Sequence, residues 1–233
     1  MMAEHTSKQF DAELESVRSR VLHMGGLVEQ QITRAMEALI SGDMELMEKV
    51  IADDHRVNAL EVDLDESCSH IIARRQPAAG DLRLLITVIK TITDLERIGD
   101  EAEKIARMAK LIHGAGRLHM PRMDLSNVAD RALAMLRQSL DAFARLDVSE
   151  AMAVVRQDSA VDDQFRAIMR QLITFMMEDP RTITRSLEIL FIAKAIERIG
   201  DHSKNMAEYV IYMAKGRDVR HVSIDEMEKE ILE

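Results

Sequence analysis

An all-α fold of two tandem, sequence-related three-helix bundles is predicted by three observations. The 233-residue chain is 47% hydrophobic but only 3% aromatic, with 17 methionines, nine glycines and three prolines. Such an aliphatic and thioether core with few helix breakers favours helices over sheets. Apolar residues also recur at helical spacing through most of the chain. Finally, the pentapeptide Glu-Arg-Ile-Gly-Asp occurs at residues 96–100 and again at residues 197–201, which indicates an internal repeat.

Three helices are predicted in a first bundle that covers residues 1–113. The first helix spans residues 7–40 and stops at Ser41-Gly42-Asp43, where Asp43 also caps the next helix. The second spans residues 44–75 and ends before Gln76-Pro77. The third spans residues 82–112 and ends in a glycine-containing segment. Residues 114–122, with two glycines and Pro121, are predicted to form a linker.

A second bundle is predicted at residues 123–216. Its helices span residues 124–146, 148–178 and 181–215. Asp179-Pro180 supplies a cap and a proline at the first helical position, and Gly216 ends the last helix. Because the turns are short, sequential helices are expected to be antiparallel neighbours. Residues 217–233 are predicted to form a charged, weakly periodic tail.

The third and sixth helices carry matching stripes that are expected to face the bundle cores. The stripes alternate four- and three-residue steps, at Leu84, Val88, Thr91, Leu95, Ile98, Ala102, Ile105 and Ala109, and at Arg185, Ile189, Ile192, Ile196, Ile199, Ser203, Met206 and Val210. Arg97 and Arg198 point away from these stripes. We therefore expect both arginines to face solvent or a partner.

Carboxylates occupy inner-face positions where apolar side chains are expected. Asp54 and Asp158 each lie four residues after a valine of the seam on the middle helix of a bundle, and Asn58 and Asp162 lie four residues further on. Each copy of the pentapeptide adds two carboxylates one helical turn apart, where like charges repel. Buried carboxylates must be neutralised, paired or bound to metal. The pattern thus indicates a metal site of oxygen ligands, suited to iron, manganese, magnesium or calcium, with zinc as a further possibility.

Two other interpretations of these acids stay open. The acids can be paired with lysines within a purely structural scaffold, for example Asp100 with Lys104 and Asp201 with Lys204. They can also belong to a di-metal oxidase or metal-storage bundle, although the Glu-x-x-His pairs usual in such enzymes are missing. His202 directly follows Asp201, and a surface position is expected for its imidazole. Phosphate loops, zinc motifs and nucleophile motifs are not found, so the sequence predicts no enzyme.

Composition excludes several classes of protein. A net charge of −10 argues against a nucleic-acid surface, which needs clustered Lys and Arg. The single cysteine, Cys68, fits a reducing cytoplasm and is expected to be a small buried residue. The longest apolar runs are far shorter than the roughly 20 residues of a membrane span. A soluble cytoplasmic protein is therefore expected, which reaches a membrane only through partners.

Several segments together resemble the PhoU family, the accessory proteins of the bacterial phosphate-specific transport system. They are the repeated pentapeptide, the stretches 72–77 and 81–84, the stretch 176–179 and the tail segment 215–222. The resemblance covers nearly the whole chain. It implies two tandem three-helix bundles, often in a homodimer.

For function, the resemblance implies a regulator that turns over no substrate. Such a protein relays the state of the phosphate ABC transporter, through its ATPase subunit, to a sensor histidine kinase. It represses the phosphate-starvation response and restrains phosphate uptake. By the motif, the implied metal ligands are Glu96, Asp100, Glu197 and Asp201, opposite Asp54, Asp158 and Asp162. Asn58 replaces a carboxylate in the first bundle, so the second bundle is expected to hold metal more firmly.

Overall fold

The computed structural model describes residues 8–114, 123–220 and 222–232, and its regular structure is helical. A short 3₁₀ turn at Pro180–Thr182 precedes the longest helix of the second half. The α-helices of the described ranges are α1 (Lys8–Ser41), α2 (Met44–Asp53), α3 (His55–Arg75), α4 (Ala79–Gly114), α5 (Ser126–Arg145), α6 (Val148–Glu178), α7 (Ile183–Lys215) and α8 (Ile224–Leu232).

Local sequence explains where several helices begin and end. Asp43 precedes α2 and Asp147 precedes α6, and each carboxylate accepts a hydrogen bond at 3.0 Å from the backbone N–H three residues on. Such an N-cap satisfies a donor that has no partner within the helix. Gly216 ends α7 with a φ of 76°. Glycine adopts this left-handed conformation without the steric cost that a side chain brings.

The second predicted helix is divided at Asp54, which lies between α2 and α3. The backbone N–H of Val57 donates to the Asp54 carbonyl at 2.9 Å, a contact of the tighter 3₁₀ type. The corresponding helix of the second half, α6, is continuous. The first bundle therefore has a local irregularity at its inner-face aspartate, which the periodicity did not indicate.

The C-terminal segment is more ordered than the sequence suggested. Its weakly periodic stretch contains α8, which packs against α6. Val219 and Met227 are buried and join the hydrophobic core. Residues 115–122 of the predicted linker lie outside the described ranges.

The two bundles pack through their third helices and share one core. α4 and α7 contact each other extensively, and buried residues from both halves form a continuous hydrophobic cluster. All sixteen stripe positions predicted on these two helices are buried. The predicted fold of two tandem three-helix bundles is thereby confirmed. Each helix of the described ranges is too short or too polar to cross a bilayer.

Candidate metal centre

Three carboxylates meet in the first bundle. Asp54 lies at the junction of α2 and α3, and Asp100 and Glu103 lie on α4. One oxygen from each of the three side chains lies within 4.8 Å of the others. Asp54 is buried, whereas Asp100 is exposed. The group, called here the first cluster, is therefore open to solvent on one side.

Two buried amides hold the Asp54 carboxylate in place. Gln31 Nε2 on α1 donates to Asp54 Oδ1 at 3.2 Å, and Asn58 Nδ2 on α3 donates to Asp54 Oδ2 at 3.1 Å. The amide oxygens of both side chains are buried without a hydrogen-bond partner. An unsatisfied buried acceptor costs about 1–3 kcal/mol. Two amide oxygens beside the first cluster thus lack a hydrogen-bond partner.

Partial burial and neighbouring charges raise the pKa of two acids in the first copy of the pentapeptide. Burial is the main cause for Asp100, and the charges of Asp54 and Glu103 raise its pKa further, while Arg198 opposes them. Burial also raises the pKa of Glu96, followed by the charge of Asp100. Each shift reports a carboxylate that is destabilised when it is ionised. A cation between these groups would relieve that repulsion.

A second cluster of carboxylates lies in the second bundle. It consists of Asp158 and Asp162 on α6 and Asp201 on α7, again with one oxygen from each within 4.8 Å of the others. A basic side chain is paired with this cluster, as Arg107 is paired with Glu103 of the first cluster. Lys204 Nζ donates to Asp158 Oδ2 at 2.7 Å. The second cluster therefore already contains a positive charge of the protein itself.

Burial perturbs titration around the second cluster. It raises the pKa of Asp201 to about 6, with the charges of Glu197 and Asp158 as the next causes. It also raises the pKa of Glu208, a buried residue of α7, to about 7. For Lys204, burial alone would lower the pKa, but the hydrogen bond to Asp158 and the surrounding carboxylates raise it overall. The Lys204 ammonium therefore stays charged at neutral pH.

The structure brings together five of the seven predicted metal ligands. Asp54 and Asp100 meet in the first cluster, and Asp158, Asp162 and Asp201 meet in the second.

Among the described residues, Glu96 and Glu197 do not belong to either cluster. Glu197 is buried and paired with Lys194, one turn earlier on α7. The assignment of all seven residues as ligands stays a prediction.

Sequence reasoning did not place three residues that lie in or beside the two clusters. Glu103 follows Asp100 by three residues, so the helical spacing that relates Glu96 to Asp100 was a usable signal for it. Lys204 was considered as a partner of Asp201, but it contacts Asp158 on the neighbouring helix. Gln31 reaches Asp54 from a helix that is distant in sequence. No local pattern marks such a contact.

The predicted partner-facing arginines differ in their surroundings. Arg97 is exposed on α4. Arg198 is 42% exposed, and its guanidinium contacts the buried carboxylate of Glu101 on α4. Arg198 thus links the two bundles, and partner binding by either arginine stays a prediction.

The expectation of a surface position for His202 was wrong. Its side chain is buried between the bundles, and Nδ1 lies 2.7 Å from Asp94 Oδ1 on α4. Asn205 Nδ2 donates to the same oxygen at 3.4 Å. A carboxylate on the opposite helix thus pairs with Nδ1, while Nε2 is buried without a hydrogen-bond partner. The sequence of α7 alone does not reveal this contact.

The donor chemistry of the clusters fits hard cations. Among the described residues, each cluster of three consists of carboxylates only. Magnesium, manganese, calcium and iron accept such oxygen ligands, whereas zinc sites usually contain histidine or cysteine. The residues present therefore fit iron, manganese or magnesium better than zinc.

Comparison with known proteins gives a consistent result across the chain. The PhoU domain family model matches residues 21–109 and 125–210, one match in each bundle. The phosphate-specific transport system accessory protein PhoU of Escherichia coli is 48% identical over 226 residues, covering 97% of this chain and 93% of that protein. The PhoU homolog of Pseudomonas aeruginosa is 46% identical over 230 residues, covering 99% of this chain and 95% of that protein.

Solved structures agree with these matches. The crystal structure of PhoU from Pseudomonas aeruginosa has a TM-score of 0.86 at 47% identity, covering 89% of this chain and all of that one. The phosphate transport system regulatory protein PhoU from Streptococcus pneumoniae has a TM-score of 0.83 at 28% identity, covering 90% of this chain and 99% of that one. Sequence and fold therefore agree over both halves, and the chain belongs to the PhoU family.

Proposed function

We propose that this protein is a negative regulator of the phosphate-starvation response and of phosphate uptake. It acts as an adaptor between the ATPase subunit of the phosphate-specific ABC transporter and a sensor histidine kinase. The observation that carries the proposal is the near-complete match to proteins named as accessory proteins of that transport system, at 46–48% identity. The match includes both bundles, which favours a function shared by both halves.

An exposed apolar surface on α7 supports a role in docking. Ile183, Leu187 and Phe191 are 42%, 41% and 50% exposed and follow one another at four-residue steps. Such spacing places them on one face of the helix. Contiguous exposed apolar residues on a soluble protein mark contact sites for other proteins. We assign this surface to the transporter ATPase subunit.

Regulation by an adaptor requires only that it bind one state of its partner better than the other. A 100-fold effect on kinase output corresponds to about 2.7 kcal/mol of differential binding. One ordinary protein interface supplies this free energy. The proposal therefore needs no chemical turnover.

Cation binding by the acidic clusters is part of the proposal. Burial, followed by repulsion from neighbouring carboxylates, raises the pKa values of Asp100 and Asp201, and a cation such as iron, manganese or magnesium would offset the repulsion. It would also tie the middle helix of a bundle to its third helix. The bound ion is assigned a structural role within the bundle.

Deletion of the gene is the direct test of regulation. Starvation-response reporters are expected to become active in phosphate-rich medium, and phosphate uptake should rise. Reporters that stay silent in the deletion strain would contradict the regulatory role. Complementation with the wild-type gene is the control.

The adaptor role is tested by affinity purification at high and low phosphate. Leu187→Asp is expected to reduce recovery of the ATPase subunit, whereas Val62→Asp, a change at a separately exposed apolar residue of α3, should not. Light scattering of both variants tells whether the α7 surface instead joins two copies of the chain. Unchanged recovery with Leu187→Asp would remove the assignment of this surface.

A metal-storage bundle with oxidase activity is the alternative. Two carboxylate clusters on facing helices are the observation in its favour. Against it, Lys204 places an ammonium within the second cluster, and an ammonium repels a metal ion. Oxygen consumption by the iron-loaded protein distinguishes this alternative from an adaptor.

A further inference from the structure

A groove between the first half of α1 and the last third of α3 lies apart from both acidic clusters. Its volume is about 410 Å³, and its hydrogen-bonding side chains include Glu13, Ser16, Arg20, Ser67, His70 and Arg74. Guanidinium, imidazole and hydroxyl groups are the donors that bind phosphate oxygens in proteins. Their meeting in one groove is notable in a chain whose net charge is −10.

Arg20 is held in this groove by partners on α3. Its Nη1 donates to Ser67 Oγ at 3.0 Å, and its Nη2 contacts the Asp63 carboxylate. These contacts orient the guanidinium and leave further N–H donors for a ligand. The planar fork of such an oriented guanidinium matches the oxygens of a phosphate group.

Arg74 brings a second guanidinium to the groove. It is exposed on the last turn of α3, and no hydrogen bond or ion pair joins it to another of the described residues. The neighbouring Arg75, in contrast, donates to both carboxylate oxygens of Glu13, at 2.9 and 2.7 Å. Ion pairing within the fold therefore accounts for Arg75 and leaves the charge of Arg74 for a ligand.

Glu13 adds an acceptor to these donors. The hydrogen bond from Arg75 lowers the pKa of the Glu13 carboxyl, and the charges of Arg75 and Arg74 lower it further. Each carboxylate oxygen has more than one lone pair, so Glu13 can accept a hydrogen bond besides those from Arg75. Inorganic phosphate keeps a proton at neutral pH and can donate it to this carboxylate, whereas sulfate has no proton to donate.

The repeat does not reproduce this set of side chains in the second half. On the register that aligns the N-caps of α2 and α6, Arg20 corresponds to Asp124, His70 to Thr174 and Arg74 to Glu178. Each potential cation is thus replaced by a neutral or acidic residue. The set is therefore a property of the first bundle and not a consequence of the shared fold.

We propose that this groove, called here the α1–α3 groove, binds inorganic phosphate. Arg20 and Arg74 are the guanidinium ligands, and Glu13 accepts the hydrogen bond from the phosphate hydroxyl group. Ser16 and His70 supply further donors. The site goes beyond the proposed adaptor role, because it gives the chain a small-molecule ligand of its own.

Calorimetric titration of the full-length protein with sodium phosphate at pH 7.5 and low salt tests the proposal. One phosphate per chain is expected to bind. Sulfate should bind at least about tenfold more weakly, because Glu13 then faces an oxyanion without a proton. Adenosine monophosphate should also bind more weakly, since a phosphate monoester has a second pKa of about 6 and has lost most of that proton.

Variants locate the bound phosphate. Arg74→Gln should weaken phosphate binding about tenfold or more, as the loss of a charge-assisted hydrogen bond does. Arg170→Gln is the matched control, because it removes the same charge from an exposed helical arginine of α6, and it should bind as the wild type does. Glu13→Gln should remove most of the preference for phosphate over sulfate. Thermal unfolding of each variant checks that the fold is retained.

Three outcomes would overturn the proposal. A wild-type protein without saturable phosphate binding would remove the ligand, and wild-type affinity in Arg74→Gln would remove the site. Equal affinity for phosphate and sulfate, or tighter binding of adenosine monophosphate, would show that the groove does not select inorganic phosphate. The reporter test of the regulatory role is independent of all three outcomes.

Discussion

Replacing Gly200 with alanine is expected to stabilise the protein, whereas the same replacement at Gly99 is not. Both glycines lie inside long helices, where alanine is favoured over glycine by about 1 kcal/mol. The two positions are equivalent in the repeat, so helix propensity predicts the same gain at each. Any difference must come from what the added methyl group contacts.

At Gly200 the methyl group fits. Its nearest neighbours would be Val161 Cγ1 at 3.4 Å and Met135 Sδ at 3.8 Å, which are ordinary van der Waals distances. We expect most of the propensity gain to be realised, about 0.5–1 kcal/mol. For a chain of this size that gain raises the melting temperature by roughly 1–4 °C. A leucine at this position is expected to destabilise the fold, since Val161 leaves no room for a longer side chain.

At Gly99 the methyl group meets the first cluster. It would lie 3.3 Å from both Asp54 Oδ1 and Gln31 Oε1, two atoms whose side chains are hydrogen-bonded to each other. Both side chains must shift by a few tenths of an ångström, and the shift offsets the propensity gain. We expect Gly99→Ala to leave the free energy of unfolding unchanged or to lower it by about 1 kcal/mol.

Thermal unfolding of the two variants without metal, followed by circular dichroism, measures the difference directly. Mn²⁺ titration of the same samples should show weaker binding for Gly99→Ala and wild-type binding for Gly200→Ala. Equal stabilisation by both substitutions, with unchanged Mn²⁺ affinity, would refute the view that Gly99 makes room for the cluster.

Three further predictions concern buried polar and reactive groups. The folded protein holds a proton on Glu208 more tightly than the unfolded chain does, so the stability that this group contributes is lost as pH rises from about 4.5 to about 7. The free energy of unfolding, measured with denaturant, should therefore fall between pH 5 and pH 8, and Glu208→Gln should make that fall smaller by up to about 3 kcal/mol. The same fall in the variant as in the wild type would contradict the assignment. Arg198→Ala should lower the free energy of unfolding by about 1–2 kcal/mol, because Glu101 keeps only its contact with a lysine, whereas Arg97→Ala should change it by less than about 0.5 kcal/mol. Burial raises the pKa of the Cys68 thiol to about 11, so a thiol reagent should label the folded protein slowly at pH 7 and the denatured protein at once, and rapid labelling of the native protein would show that the first bundle opens.

Sequence periodicity was sufficient for the fold because each helix has to bury one face. The inner-face aspartates Asp54 and Asp158 were detectable for the same reason, since each interrupts an apolar seam. Gln31 and the buried contact of His202 with Asp94 were not detectable, because both depend on which helices become neighbours. The sequence did not indicate helix α8, because the packing of Met227 into the core depends on distant parts of the chain.

The buried contacts between α4 and α7 limit how the two halves can be exchanged. In the register of the pentapeptide, Glu101 corresponds to His202 and Asp94 to Ala195. A chain built from two copies of the second half would place His202 opposite Ala195, with no carboxylate for its imidazole.

Two copies of the first half would place Glu101 opposite Asp94, and two buried like charges repel. Each half therefore depends on residues that only the other half carries. The two halves are complementary and cannot replace each other. Exchange of halves between relatives should succeed only when α4 and α7 are transferred together.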